Sequence, residues 1–293
     1  MSNDQYRYHR DGFGPLPARL EHLDIYLNFL DGKVVGTNTL QMSAVVPLTE
    51  LRLDARELKV VSVEWLEEDS TNPARETCQG EITERRDDLR VVPGRDGARP
   101  SDKSAPPPGQ LLPYDYRQKE NTLVVRLPGI CKPGDQFTIR TVSECLPSDT
   151  ILEGIYKDTP PTGCPQQYMS QFQQWGFQRV MPILDDCRAK CTMTTTLEAD
   201  ARYTHLVSNG DVDRFRNPDG KPVRKPGDPS RQVITYVNRI PMAPYLFIAC
   251  AGTWDVLEDR VTYPSGRRVR LEYLVPPGRT AGAAIPMQIL KDS

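Results

Sequence analysis

From His22 to Phe29 apolar and polar side chains alternate: Leu23, Ile25, Leu27 and Phe29 fall between His22, Asp24, Tyr26 and Asn28. A period of two puts all four apolar side chains on one face of an extended chain, so this segment reads as a strand with one buried face. Asp31-Gly32 then supplies a turn that tolerates positive φ, and Val34 to Val46 runs back as a second strand. Further strands are expected at Leu51 and Leu53, Leu58–Trp65, Thr122–Leu127, Gln136–Val142, Cys191–Leu197 and Thr204–Ser208. The series continues with Gln232–Val237, Leu246–Val256, and a hairpin of Arg260–Tyr263 and Val269–Val275 turning at Pro264-Ser265-Gly266. Proline supports this reading. There are 27 in 293 residues, well above the ordinary ~5%, which disfavours long helices and fits turns and strand edges. A helix is expected only near the end, over Ala281–Lys291, with Pro286 in its first turn. The expected fold class is mainly β and largely antiparallel.

Two segments depart from the pattern. Residues 93–113, rich in proline and glycine, cannot bury enough apolar surface to offset the entropy of ordering, and are expected to be a flexible loop. Residues 213–231 have a similar composition and are expected to form a second loop. Neither divides the chain into two compositional halves, so 1–280 reads as one domain.

Charge and hydropathy exclude several classes. Lys and Arg number 37 against 39 Asp and Glu, a formal charge of −2, so the basic excess of a nucleic-acid or acidic-membrane binder is missing. The longest strongly apolar stretch, Tyr245 to Gly252, is far short of the ~20 residues a spanning helix needs. The first residues have no apolar core of a secretory signal. The seven cysteines are an odd number in a long chain and read as reduced thiols of a cytoplasmic protein, most of them packing as small apolar residues.

The chemistry-bearing residues are sparse. The histidines are His9, His22 and His205, and no H-E-x-x-H motif, P-loop or G-x-S-x-G elbow occurs. Cys187 and Cys191 have a spacing a metal could use, with Cys164 or His205 as imaginable partners, but one loose pair is not a structural zinc site. The two thiols are read instead as flanking the entrance to a strand. His22, opposite the apolar face of its strand, is expected to be solvated, and His205 to be a strand residue. Glu67-Glu68, Asp87-Asp88 and Asp185-Asp186 read as solvated or turn-forming. No metal ligand and no catalytic residue is assigned.

Several stretches in order carry a resemblance. They are Leu23-Asp-Ile-Tyr-Leu-Asn-Phe29, Leu51-Arg-Leu-Asp-Ala-Arg-Glu-Leu58, Leu152-Glu-Gly-Ile-Tyr156, Ser170-Gln-Phe-Gln-Gln-Trp-Gly-Phe-Gln-Arg179, Leu206-Val-Ser-Asn-Gly210 and Pro244-Tyr-Leu-Phe-Ile-Ala-Cys-Ala-Gly-Thr-Trp-Asp-Val256. Together they resemble the N-terminal domain of the alanyl aminopeptidase (aminopeptidase N) family of zinc exopeptidases. The resemblance implies a saddle-shaped, mostly antiparallel β domain. It also implies that the family's zinc, its H-E-x-x-H helix and its Gly-x-Met-Glu-Asn substrate loop belong to a following catalytic domain, of which residues 281–293 would be the start.

One contribution to substrate binding is implied by the same resemblance. A Thr-Gln-x-Glu segment of the family enters the cleft, where its Glu receives the substrate's free α-amino group and its Gln borders the first side-chain pocket. The matching positions are Gln171 for the pocket wall and Gln173 for amine recognition, with Gln173 a neutral amide where many relatives have a carboxylate. Trp175 and Phe177 are expected in the core. The implied partners are the catalytic domain and peptide N-termini, and the chain alone is expected to be inactive. The other reading is a stand-alone β interaction or scaffold module derived from that family.

Overall fold

A computed structural model of the chain describes residues 14–66 and 109–293. In chain order the first strands are β1 (Ala18–Leu30), β2 (Lys33–Ala44), β3 (Leu48–Asp54), β4 (Lys59–Leu66), β5 (Gln110–Leu111), β6 (Tyr114–Arg117), β7 (Thr122–Cys131), β8 (Gln136–Cys145) and β9 (Gly154–Lys157). Then come β10 (Tyr168–Gln171), β11 (Cys191–Asp200), β12 (His205–Ser208), β13 (Asp211–Val212), β14 (Val223–Lys225), β15 (Asp228–Met242), β16 (Ala249–Gly252), β17 (Asp255–Thr262), β18 (Arg268–Val275) and the helix α1 (Ala284–Asp292). The fold is mainly β, as the alternation requires. No helix among the described residues is long and apolar enough to cross a membrane.

Among the described residues the strands make four sheets. The largest has the order β13-β15-β11-β1-β2-β8-β4-β5, with β14 added beside β15. A second runs β12-β16-β10-β9, a third β3-β7-β6, and β17-β18 form a ribbon of two. Pairing is antiparallel throughout the strand ladders except between β1 and β11, which run parallel from His22↔Thr192 to Asn28↔Glu198. Leu23, Ile25, Leu27 and Phe29 are all buried. The register of β1 on β2 shifts between Leu20 and His22, and that bulge lets Ala18 and Leu20 face the same core as Leu23 despite the odd spacing. Gly32 takes φ +77° in the β1–β2 turn.

The last helix begins three residues later than expected, at Ala284, and keeps Pro286 in its first turn, where the missing N–H costs nothing. Leu246–Val256 is not one strand. Pro244 opens a 3-10 turn, β16 is limited to Ala249–Gly252, and Thr253 is held by both ends of the Gln167 amide.

Residues 213–231, expected as a loop, carry β14 and the first residues of β15. Two buried polar groups account for the order. Asn217 donates to the carbonyls of Lys221 and Val233 and accepts from the Thr235 amide, all at 3.0 Å. Glu198, 2% exposed, accepts from Tyr26, from Lys225 Nζ at 2.8 Å and from Arg231 Nε at 3.1 Å. The expected loop at 93–113 lies outside the described residues up to 108, and Gln110–Leu111 form β5 on the edge of the large sheet. Glu67-Glu68, Asp87-Asp88, His9 and Cys78 also lie outside the described residues.

Candidate functional site

The four-stranded sheet presents one end to solvent, and the segment singled out from the sequence leaves the sheet there. Gln171 ends β10 opposite Gly154 of β9, and Ser170 Oγ accepts the Ala249 amide of β16 at 2.9 Å. Beyond Gln171 the chain alternates between anchoring and exposure. Phe172 is buried, Gln173, Gln174 and Trp175 are exposed, and Gly176, Phe177 and Gln178 are buried again. The Gln173–Gln174 peptide is cis. Buried Phe172 and Gly176 flank the exposed residues, so the segment is anchored on both sides.

Three phenylalanines form the anchor. The Phe172, Phe177 and Phe247 rings contact one another with centroids 5.2–5.5 Å apart, and none is more than 1% exposed. These are favourable tilted aromatic contacts, and burial of each ring contributes roughly 1.5–3 kcal/mol. Two glycines let the backbone close over them. A Cβ on Gly176 would lie 2.7 Å from Phe172 Cα and 2.9 Å from Gly154 N, and closer still to the Gln171 carbonyl oxygen. Gly154 has φ +75°, a conformation costly for other residues. Phe177 is in the core as expected. Trp175 is not: it is 47% exposed beside the glutamines, because Gly176 turns the chain inward only after it.

Charge fixes the same segment from below. Arg179 donates from Nε to Glu153 at 2.6 Å and from Nη1 to Glu57 at 2.6 Å, linking the turn after the loop to the residue that precedes β9 and to the β3–β4 connection. The next residues, Val180, Met181 and Ile183, are buried. Ser143 donates to the Val180 carbonyl at 2.9 Å and Asn38 to that of Pro182 at 3.0 Å, while Asp54 and Ile183 exchange backbone hydrogen bonds. The loop is thus rooted where the large sheet, the three-stranded sheet and the four-stranded sheet meet.

Asp185 corrects the reading of Asp185-Asp186 as solvated. It is 5% exposed and receives the Gln178 amide and side chain at 3.4 and 3.3 Å. Burial pushes its carboxyl up to about 7, the Gln178 hydrogen bonds oppose this, and the nearby Asp54 and Asp186 carboxylates add to it. Asp186 behaves oppositely, its carboxyl held down by the Arg188 hydrogen bonds. No sequence signal separates the two, since only packing against Gln178 and Asp54 distinguishes them.

Around the loop the surface is apolar. Leu152 (62% exposed) precedes β9, Leu246 (50%) and Ile248 (39%) precede β16, and Trp175 stands with them at the same end of the sheet. Asn209 of the Val-Ser-Asn-Gly stretch holds this rim, accepting from the Ile248 amide at 2.7 Å and donating to the Leu246 carbonyl at 3.2 Å. That explains two of the singled-out motifs as a clip between β12 and β16.

The cysteines and histidines are dispersed. Cys187 is exposed, Cys191 is buried at the start of β11, and Cys164 and Cys250 are partly buried. All six described cysteines are free thiols, and burial pushes Cys145 and Cys191 up to about 12. His205 begins β12 in another sheet with Nδ1 2.7 Å from Thr204 Oγ1. His22 is half-buried rather than solvated, its Nδ1 2.7 Å from Thr192 Oγ1 across the parallel pair, and burial lowers its pKa. Among the described residues no three His, Cys, Asp or Glu side chains converge to hold a metal ion. These residues do not fit a zinc site.

The architecture has counterparts. The fold matches a crystal structure of Legionella pneumophila aminopeptidase A in complex with aspartic acid at a TM-score of 0.69 and 19% identity, over 96% of this chain and 27% of that one. No family model matches the chain. By sequence the chain is 31% identical over 181 residues to aminopeptidase N of Escherichia coli (strain K12), covering 61% of this chain and 18% of that protein. It is 29% identical over 163 residues to aminopeptidase N of Caulobacter vibrioides, covering 55% of this chain and 17% of that protein. Haemophilus influenzae aminopeptidase N is 29% identical over 180 residues, with coverage of 60% and 19%. The fold is the mainly β architecture of a part of that crystal structure, and the chain spans about a fifth of the length of the curated relatives it matches. The sequence matches and the shared fold together support an N-terminal domain of the aminopeptidase N family.

Proposed function

We propose that this domain forms one wall of the substrate cleft of a zinc aminopeptidase, with Gln171 and Gln173 facing the N-terminal end of a peptide. The single observation that carries the reading is the construction of the Gln171–Trp175 loop. Its polar side chains are exposed, its backbone is anchored by the Phe172, Phe177 and Phe247 cluster, and an apolar rim surrounds it. A surface loop with no ligand has no need of so much anchoring, and recognition groups work best on rigid supports. The apolar rim of Leu152, Trp175, Leu246 and Ile248 suits coverage by a companion domain, which also favours this reading over a stand-alone module.

The metal of this zinc-dependent family would activate the attacking water, and its ligands lie outside the described residues. The contribution of this chain is positional. An exopeptidase must register its substrate from the free ammonium, and the Gln173 side-chain oxygen accepts a hydrogen bond from it. The amide carries no charge, so it offers a dipole where a carboxylate would add Coulomb attraction. With a charged ammonium as donor this hydrogen bond contributes roughly 1.5–3 kcal/mol net, and a carboxylate acceptor would add ion-pair attraction of up to about 1 kcal/mol at an exposed site. Gln171, two residues earlier at the end of β10, borders the first side chain.

In the assembled enzyme, Gln173→Glu is expected to lower KM for an alanine anilide about fivefold, the equivalent of ~1 kcal/mol. A KM unchanged by the substitution would remove Gln173 from the role of ammonium acceptor.

A further inference from the structure

The other end of the four-stranded sheet carries a cleft of about 460 Å3 whose chemistry is separate from the glutamine loop. Its floor is two buried tyrosines, Tyr168 at the start of β10 and Tyr203 in the turn between β11 and β12, with ring centroids 6.2 Å apart and nearly perpendicular. Both are fixed. The Tyr168 hydroxyl donates to the Leu30 carbonyl at 3.0 Å, and the Gln167 side chain locks the adjoining wall by bonding both the amide and the carbonyl of Thr253 at 2.7 and 3.1 Å.

The mouth holds charges of both signs on three separate elements. Asp31 stands in the β1–β2 turn, Lys157 ends β9, and Arg202 follows β11. Neither Asp31 nor Lys157 makes a side-chain hydrogen bond or ion pair among the described residues. The Arg202 guanidinium lies over the Tyr203 ring at 5.2 Å and reaches its hydroxyl at 3.5 Å, which leaves most of its five donors for a ligand. Asp31 and Arg202 act on one another electrostatically without a direct ion pair, and both signs of charge face one opening.

We propose that this cleft binds a small zwitterion of the α-amino-acid or dipeptide class, with its carboxylate on Lys157 and Arg202, its ammonium on Asp31 and its carbon chain on the tyrosine floor. The volume lies within the ordinary range of small-molecule sites. The inference does not rest on the reading of the glutamine loop, which lies at the opposite end of β10, about 10 Å along the strand.

Amide chemical-shift titration of this chain tests it, with L-glutamate, L-glutamine and acetate as probes. L-glutamate is expected to shift the Gly32, Gln167, Tyr203 and Thr253 amides saturably in the roughly millimolar range, as suits a partly exposed site. L-glutamine, a zwitterion of the same class, should shift the same amides, and acetate should bind several-fold more weakly than either. Lys157→Gln and Asp31→Asn, on two different elements and both at the rim, should each weaken L-glutamate binding about threefold, with the rest of the spectrum unchanged. Three results would overturn the proposal: no saturable shift at these amides, equal responses to acetate and L-glutamate, or undiminished L-glutamate binding in both variants.

Discussion

Replacing Asp185 by asparagine isolates one buried carboxyl beneath the glutamine loop and its effect on stability. The Asp185 carboxyl is pushed up to about 7 by burial, with Asp54 and Asp186 adding to the shift, whereas in the unfolded chain it titrates near the ordinary 3.8. Between those values the folded state holds a proton that the unfolded state has released, so stability falls as pH rises through this window. The stabilisation is fully present below pH ~4 and is lost by pH ~8. A difference of about 3 pH units corresponds to a ceiling of ~4 kcal/mol. The asparagine amide cannot ionise and keeps an acceptor for Gln178, so the Asp185→Asn variant should not lose this amount. Urea unfolding of both proteins at about pH 5 and pH 8 measures it. At pH 8 the variant is expected to be the more stable by about 2–4 kcal/mol, and at pH 5 the two should lie much closer together. Equal pH dependence in the two proteins would show that Asp185 is not held protonated by its surroundings, and the packing described around Gln178 would be wrong.

The other predictions concern the supports of the loop and of the edge of the large sheet. Gly176→Ala places a methyl group against Phe172 Cα and Gly154 N, backbone atoms that cannot yield cheaply. It should destabilise the chain by about 1–3 kcal/mol and perturb the Gln171–Trp175 amides first, whereas a silent spectrum would contradict the close approach. Asn217→Ala leaves the Lys221 and Val233 carbonyls and the Thr235 amide without their partner. A loss of about 2–4 kcal/mol is expected in urea unfolding, with faster hydrogen exchange over Asp213–Arg231, and unchanged exchange there would refute this role.

How much can be read from residues alone depends on the length of each pattern. β1 is legible because it repeats the alternation over several pairs, although the bulge at Leu20/His22 is not, since the odd spacing becomes meaningful only with its partner β2 in view. β9 and β10 are not legible because four residues are too few to show a period, and Pro160, Pro161 and Pro165 between them read as loop. The ordering of residues 213–231 depends on Asn217 and Glu198, whose partners are distant in sequence, and composition cannot reveal such pairings. Trp175 is misplaced for a local reason: an aromatic residue beside Phe172 and Phe177 looks like core, and only the inward turn at Gly176 shows that it is not. The roles proposed for Gln171 and Gln173 rest on resemblance to the family motif, since nothing in their chemistry marks them out from other polar residues. The charged cleft over Tyr168 and Tyr203 draws on turns and strand ends spread from Asp31 to Thr253, and no linear motif announces it.

The central claim is that the loop anchored by Phe172, Phe177 and Phe247 presents Gln173 to a substrate's N-terminus. An experimental structure of the assembled aminopeptidase with a bound peptide or amino-acid product tests this most directly. The Gln173 side-chain oxygen should lie within about 2.7–3.2 Å of the ligand's α-ammonium nitrogen, with Gln171 beside its first side chain. A ligand bound elsewhere, with Gln171 and Gln173 facing bulk solvent, would contradict the account.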